Sequence, residues 1–202
     1  MKVLVLGASG RTGGHVVEAL AAAGHEVGSF GRSPPKVAGA SNHVAGDPGD
    51  AQALARALGD AQAILSCLAS SNTEPVASSA ARAAIAAADG RPMRYLTIAG
   101  AGVDAPGDAK GVADKAVGLV MRLVVGRMLA DRQSELSILS ASPLAFTMLR
   151  PPRLTSGAPT GRWRFTFDRP AAMAIDRADL AAAMVEALDR ADFARRAPFV
   201  SA

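Results

Sequence analysis

The 202-residue chain has one cysteine, one tryptophan and one tyrosine, and aromatic residues make up only 4% of it. With Cys67 alone no internal disulfide can form, and a cytoplasmic location fits that usage. No run of five like charges occurs, and 22 basic residues against 18 acidic leave a net charge of only +4. Without a basic stripe or interleaved aromatics, nucleic acid is not an expected partner. Met1–Leu6 lacks the cleavage region of a secretion signal. The most apolar later stretch, Ala116–Leu129, carries Arg122 and Arg127 and is too short to span a bilayer, so no membrane partner is expected. His15, His25 and His43 are scattered, without metal-ligand spacing or a neighbouring nucleophile. They read as structural, and no metal is expected.

What the chain does have is a large apolar fraction, 50%, with only 20% charged residues. That composition describes a globular protein, and the length fits one domain on a scale of ~100–200 residues each. The N-terminus reads VLVLGASGRTGGHVVEAL. Lys2–Leu6 is an apolar run of strand length. Gly7, Gly10 and Gly13 follow at spacing three. From Arg11 to Ala23 the pattern is helical, with Val16, Val17, Leu20 and Ala21 on one stripe. Strand, glycine turn and helix in that order suit a dinucleotide pyrophosphate. Glycines let the backbone approach the phosphates, and a helix N-terminus supplies free N–H groups. A plain tight turn between strand and helix is the alternative.

Strand-like and helical runs alternate for about 150 residues, which predicts a parallel sheet of βαβ units. Further strands are expected at Glu26–Phe30, Asn42–Ala45, Ala63–Leu68, Arg94–Ala99 and Ala145–Leu149. Helices are expected at Ala51–Leu58, Glu74–Ala88 and Asp114–Ser140, the last broken near Gly126. Leu154–Arg162 reads as a loop and Trp163–Phe167 as a short edge strand. Asp176 reads as the N-cap of a helix reaching Asp189, and Phe199–Ser201 as a final strand. Residues 1–202 then form one unit, with a small C-terminal elaboration at about 151–202. In the long helix, Val112, Ala116, Leu119, Val120, Leu123 and Val124 make a broad apolar stripe, which suits either a homodimer contact or an internal core helix.

The G-x-x-G-x-x-G spacing in GASGRTG resembles the atypical short-chain dehydrogenase/reductase superfamily. The likeness is to its NAD(P)H-binding group of NmrA-like regulators and flavin and biliverdin reductases. Ser142–Pro151, SPLAFTMLRP, is similar to that group's S-x-L-x-(aromatic)-T-(apolar)-(apolar)-R-P pattern. Thr155–Gly161 and Ile175–Ala181 resemble the loop and helix start that follow it. The fold this implies is α/β, a Rossmann-like doubly wound parallel sheet of six or seven strands. The cofactor-binding residues it implies begin with Gly7, Ala8, Ser9, Gly10, Arg11, Thr12 and Gly13. Arg32 and Asp47 follow after the second and third strands. Leu68, Ala69, Ala99 and Pro151 lie towards the nicotinamide. No acidic residue stands in Phe30–Lys36 to accept from a ribose 2′-hydroxyl. Arg11 and Arg32 suit a 2′-phosphate instead, so NADP(H) is favoured over NAD(H), unless both are solvated surface arginines. Asp47 either faces the adenine or forms a turn before Pro48. Cys67 reads as a small buried hydrophobe or a redox group at the cofactor edge. Trp163 reads as packing.

The resemblance also exposes a gap. Conventional short-chain dehydrogenases place Ser after the fifth strand and Tyr-x-x-x-Lys on the next helix. Here Ala99 and Gly100 stand at the Ser position, the only tyrosine is Tyr95 within the strand, and neither Lys110 nor Lys115 has a Tyr four residues before it. The catalytic residues are unassigned, and alcohol dehydrogenation is not expected. Two functions follow. One is NADPH-dependent hydride transfer to a flavin, quinone or similar planar acceptor, bounded by Ala99–Val103, Asp104–Lys110 and Pro151–Gly161. The other is a non-catalytic NADP(H)-sensing module of NmrA type.

Overall fold

Lys2–Leu6 (β1) is buried on both faces, and its alternating side chains divide the core in two. Val3 and Val5 pack with Val16, Val17 and Leu20 of helix α1 (Arg11–Ala22). Leu4 and Leu6 pack on the opposite side, with Leu54 and Leu58. Successive strand residues point to opposite faces, so a continuous apolar run marks a strand covered by helices on both sides. Each fully buried Val or Leu contributes about 1.5–3 kcal/mol.

The structure is a computed structural model describing residues 1–71, 73–109 and 112–202, with backbone only over 112–124. After α1 come β2 (Glu26–Gly31), β3 (Ala40–Ala45), α2 (Ala51–Leu58), β4 (Ala63–Ser66), α3 (Ala77–Ala88) and β5 (Arg94–Ile98). Helix α4 (Val112–Ser140) leads to β6 (Ala145–Leu149). The remaining elements are β7 (Arg153–Thr155), β8 (Arg164–Thr166), β9 (Ala174–Asp176), α5 (Arg177–Asp189) and β10 (Phe199–Ser201). Six strands form one parallel sheet in the order β3-β2-β1-β4-β5-β6. The chain reverses direction across the sheet between β1 and β4, and such a switch point is where α/β sheets bind ligands. Helices α1 and α5 cover one face, α2, α3 and α4 the other. The expected doubly wound fold is present.

Beyond β6 the chain builds two small pairs, β7 with β9 and β8 with β10. The stretch before β10 runs parallel along the outer edge of β6. Met148 N–H donates to the Arg196 carbonyl at 3.0 Å, and Arg150 N–H to that of Pro198 at 2.9 Å.

Several boundaries differ from the sequence reading. Strand β4 stops at Ser66 rather than Leu68, because the Leu68 carbonyl turns to Arg132. Helix α3 starts at Ala77 rather than Glu74, whose N–H is held by the Ser71 hydroxyl in a tight turn. Arg153–Thr155 is a strand, overlapping the expected loop, because it finds a partner in β9. The break in α4 falls at Val125, with φ −127° and ψ 32°, beside Gly126, a weak helix former. The side chains of the Val112–Val124 stripe, with its homodimer reading, lie outside the described residues, as do Lys110 and the side chain of Lys115.

Candidate cofactor site

The C-terminal ends of the six strands carry the expected site residues in sheet order. Asp47 follows β3, Arg32 follows β2 and the Gly7–Gly13 turn follows β1. Leu68 and Ala69 follow β4, Ala99 follows β5 and Pro151 follows β6. One sheet edge thus gathers them all.

The turn after β1 admits only glycine at two points. Gly7 has φ +74°, and a Cβ there would stand 2.9 Å from the Cys67 carbonyl oxygen. A Cβ on Gly13 would stand 2.1 Å from the Gly7 carbonyl oxygen. The absent side chains let β1, its turn and the end of β4 close together and leave a bare backbone surface. The Gly10 N–H closes the turn onto the Gly7 carbonyl at 3.0 Å.

Helix α1 differs from three others at its N-terminus. Asp50 caps α2, accepting from Gln52 and Ala53 N–H. Asp176 caps α5 through Ala178 N–H. Helix α3 is capped from a distance: Asp131 of α4 accepts from Ala77 and Ser78 N–H at 2.8 and 3.1 Å. At α1 the cap is Gly10, without a side-chain bond, and the first turn holds no acidic residue. Its free N–H groups and dipole leave room for an external anion. Ser9, Gly10 and Arg11 are exposed around it, Thr12 is partly exposed, and Ala8 is buried beneath.

Arg32 is not the lone cation that the sequence suggests. Its Nη1 lies 3.1 Å from Glu74 Oε1, 42 positions on in the loop after β4. The acidic residue missing from Phe30–Lys36 thus arrives from the other strand flanking β1. Asp47 accepts the Gly49 N–H at 2.8 Å, which is the turn-forming role. Ala99 and Pro151 are brought together: Ala99 N–H bonds the Leu149 carbonyl at 2.9 Å, and Ala101 N–H that of Pro151 at 3.0 Å.

Tyr95 is fully buried within β5, its phenol pushed up by burial and then by Glu135, so it does not face this edge. Burial likewise pushes the Cys67 thiol up to about 12, against the pull of Arg132. Cys67 is half-buried and packs against the core, which suits the small-hydrophobe reading. Trp163 packs against the core and donates to Glu186 at 2.8 Å.

Three buried charges near the site escape the sequence reading. Asp131, Arg132 and Glu135 are 6%, 7% and 0% exposed. Arg132 bonds Glu135 Oε2 at 2.7 Å and the Leu68 carbonyl, and Glu135 accepts from Thr97 at 2.9 Å. Charges on a helix ordinarily read as its solvated face. The missed signal is that residues 132, 135, 136 and 139 share one stripe, whose other two members are buried leucines. In the sequence Arg150 stands out only as part of the SPLAFTMLRP motif. It is buried and bonds both carboxylate oxygens of Asp108 at 2.7 Å.

Two cavities, of about 400 Å³ beside Pro106, Phe167 and Arg196 and about 470 Å³ beside Arg162, Arg164 and Ala172, lie away from the glycine turn. Among the described residues, no cluster of three or more His, Cys, Asp or Glu could hold a metal ion, and no helix is long and apolar enough to cross a membrane.

The family model for NAD(P)H-binding proteins matches residues 7–191, from the first glycine to the end of α5 and beyond. The chain belongs to the NAD(P)H-binding family. Solved structures agree in fold. ChuY, an anaerobilin reductase of Escherichia coli O157:H7, is 22% identical with a TM-score of 0.82, over 100% of this chain and 97% of that one. A proposed NADH-flavin reductase of Streptococcus pneumoniae is 20% identical with a TM-score of 0.81, over 100% and 99%. A short-chain dehydrogenase/reductase of Veillonella parvula is 17% identical with a TM-score of 0.78, over 99% and 93%. No curated protein matches the chain. The bare glycine turn and the uncapped α1 fit the diphosphate of the family's nicotinamide cofactor.

Proposed function

We propose that this NAD(P)H-binding protein is an NADPH-dependent reductase of flavins, quinones or similar planar acceptors. The observation that carries the reading is the row of strand ends. An uncapped helix and glycine turn lie at β1, a guanidinium at β2, and a backbone surface at β5 and β6 where Ala99 and Gly100 stand in place of a hydroxyl side chain. In this reading the α1 N-terminus and Ser9–Gly13 hold the diphosphate. Arg32, and Arg11 in the glycine turn, meet the 2′-phosphate. Asp47 borders the adenine, and the Leu68–Ala69 backbone runs along the nicotinamide ribose. Residues 151–202, with β7 to β10, supply the acceptor side together with Ala99–Val103.

NADPH would supply the hydride. Ala99–Ala101 and Leu149–Pro151, tied to each other by backbone hydrogen bonds at the ends of β5 and β6, would border a planar acceptor lying face to face with the nicotinamide. Ala99 and Gly100 offer no side-chain hydroxyl there. A ketone develops alkoxide charge that needs a proton donor in the transition state. A flavin or quinone spreads that charge over its own rings and takes its proton from water, so positioning suffices.

The missing Ser–Tyr pair also supports a second reading, a non-catalytic sensor of the NADP(H) ratio. Steady-state oxidation of NADPH with FMN, a quinone and biliverdin in parallel separates the two. Turnover with at least one acceptor is expected. Tight NADPH binding without oxidation by any of them would leave the sensor.

A further inference from the structure

We infer that Asp131 and Arg132, consecutive on α4, clamp the Leu68–Ser70 backbone and thereby position the nicotinamide half of the cofactor. The inference rests on the reading that Leu68 and Ala69 border the nicotinamide ribose. Past Ser66 the chain leaves the β4 ladder, with one last bond from Cys67 N–H to the Leu6 carbonyl at 2.9 Å. Of the next three residues, Leu68 and Ser70 are held from α4 instead. Arg132 Nη2 donates to the Leu68 carbonyl. The Ser70 hydroxyl donates to Asp131 Oδ2 at 2.6 Å. Ser70, Asp131 and Arg132 are buried, while Ala69 between the two tethers is exposed. An exposed backbone step is thus pinned on each side by a buried charge.

Fold stability alone does not call for such a device. Arg132 requires a buried counter-ion, Glu135 at 2.7 Å, and a further contact with the Thr97 hydroxyl at 3.4 Å. Well-packed apolar side chains of similar volume are often as stable as a buried ion pair. What apolar side chains could not do is hold the Leu68 carbonyl. Directing that carbonyl inward at Arg132 fixes the peptide plane between Leu68 and Ala69, and so the direction in which the Ala69 N–H points. Asp131 also caps α3, so the clamp locks this step to both α3 and α4. Arg132 is therefore a positioning residue acting through Leu68.

The test separates the two halves of the cofactor. NADPH and adenosine 2′,5′-bisphosphate, which lacks the nicotinamide half, are titrated against wild type and the Arg132→Gln/Glu135→Gln double variant. The double change avoids leaving one charge buried alone. Ser70→Ala is the milder second variant. NADPH affinity is expected to fall about tenfold in the double variant, on the order of one hydrogen bond to the cofactor misplaced when the Leu68–Ala69 step is released. Affinity for the bisphosphate should be unchanged, and Arg132→Lys should retain part of the NADPH affinity. Ser70→Ala should show the same selective loss in smaller measure. Parallel loss of both ligands, or no loss in either variant, overturns the clamp. Ala69→Phe checks the underlying reading. If it leaves NADPH affinity unaltered, Leu68–Ala69 does not border the nicotinamide and the clamp falls with that reading. If it selectively weakens NADPH while the clamp variants do not, only the clamp is overturned.

Discussion

If Arg32 meets the 2′-phosphate as proposed, removing its guanidinium should erase the proposed preference for NADP(H), and the size of the effect follows from its surroundings. A charged hydrogen bond contributes about 1.5–3 kcal/mol. Arg32 is 75% exposed, so the lower end applies. To meet a 2′-phosphate it must first leave Glu74, itself 57% exposed, and such surface pairs are worth at most about 1 kcal/mol. The net preference is then about 0.5–1.5 kcal/mol, or roughly 2- to 12-fold. Calorimetric titration of Arg32→Ala should show that loss for NADPH and none for NADH. Glu74→Gln should act oppositely, tightening NADPH up to about fivefold by freeing the guanidinium. Both effects should shrink at about 1 M salt, where the screening length is only about 3 Å. Equal losses for the two cofactors in Arg32→Ala would refute the selectivity argument. Weaker NADPH binding in Glu74→Gln would show that Glu74 supports the site rather than competing for Arg32.

Arg150→Met takes the bidentate guanidinium, itself 1% exposed, from the Asp108 carboxylate, which is 9% exposed. It should cost about 3–5 kcal/mol and lower Tm by about 10 °C; a melt within 2 °C of wild type, roughly the shift for less than 1 kcal/mol, would contradict the buried pair. Burial raises the Asp131 pKa, but hydrogen bonds from Ser70, Ser78 and Ala77 outweigh it and hold the carboxyl below its ordinary value. Its stabilisation is therefore full above the ordinary carboxyl pKa and is lost as pH falls through the lower folded one. Asp131→Asn should flatten the urea-unfolding midpoint below about pH 4, whereas an unchanged acid limb would mean the carboxylate contributes nothing. Simple ketones should not be reduced, and Ala99→Ser alone should not change that, because no general acid is added; robust ketone turnover by wild type would reveal a proton donor.

Strands β1, β4, β5 and β6 were legible because each is a short, mostly apolar run buried on both faces, as in Ala145–Leu149, whose limits agree at both ends. The Ala51–Leu58 helix agrees for a similar reason, since its cap, Asp50, is local. The α3 start was misplaced because its cap, Asp131, comes from 54 residues away, and no local pattern encodes that. Strand β7 is three residues long and exists through pairing with β9. The glycine turn was legible because backbone conformation itself demanded glycine. Glu74, Asp131 and Arg132 were not, since each reaches the site through a tertiary contact. Arg132 and Glu135 could have been found from charge placed on an apolar helix stripe.

The stretch from Arg195 to Phe199 has a consequence for colloidal behaviour. It lies along β6, the last strand of the main sheet, and its carbonyls receive N–H groups from Met148 and Arg150. A sheet edge left with unpaired N–H groups is a template for another chain. The C-terminal segment thus works as a built-in blocking strand, too short to extend the sheet and tied away from it by β10. Cutting the chain at Ala194 would bare Ala145–Leu149, an apolar edge, and the truncated protein should self-associate into β-rich aggregates even where the cofactor edge is untouched.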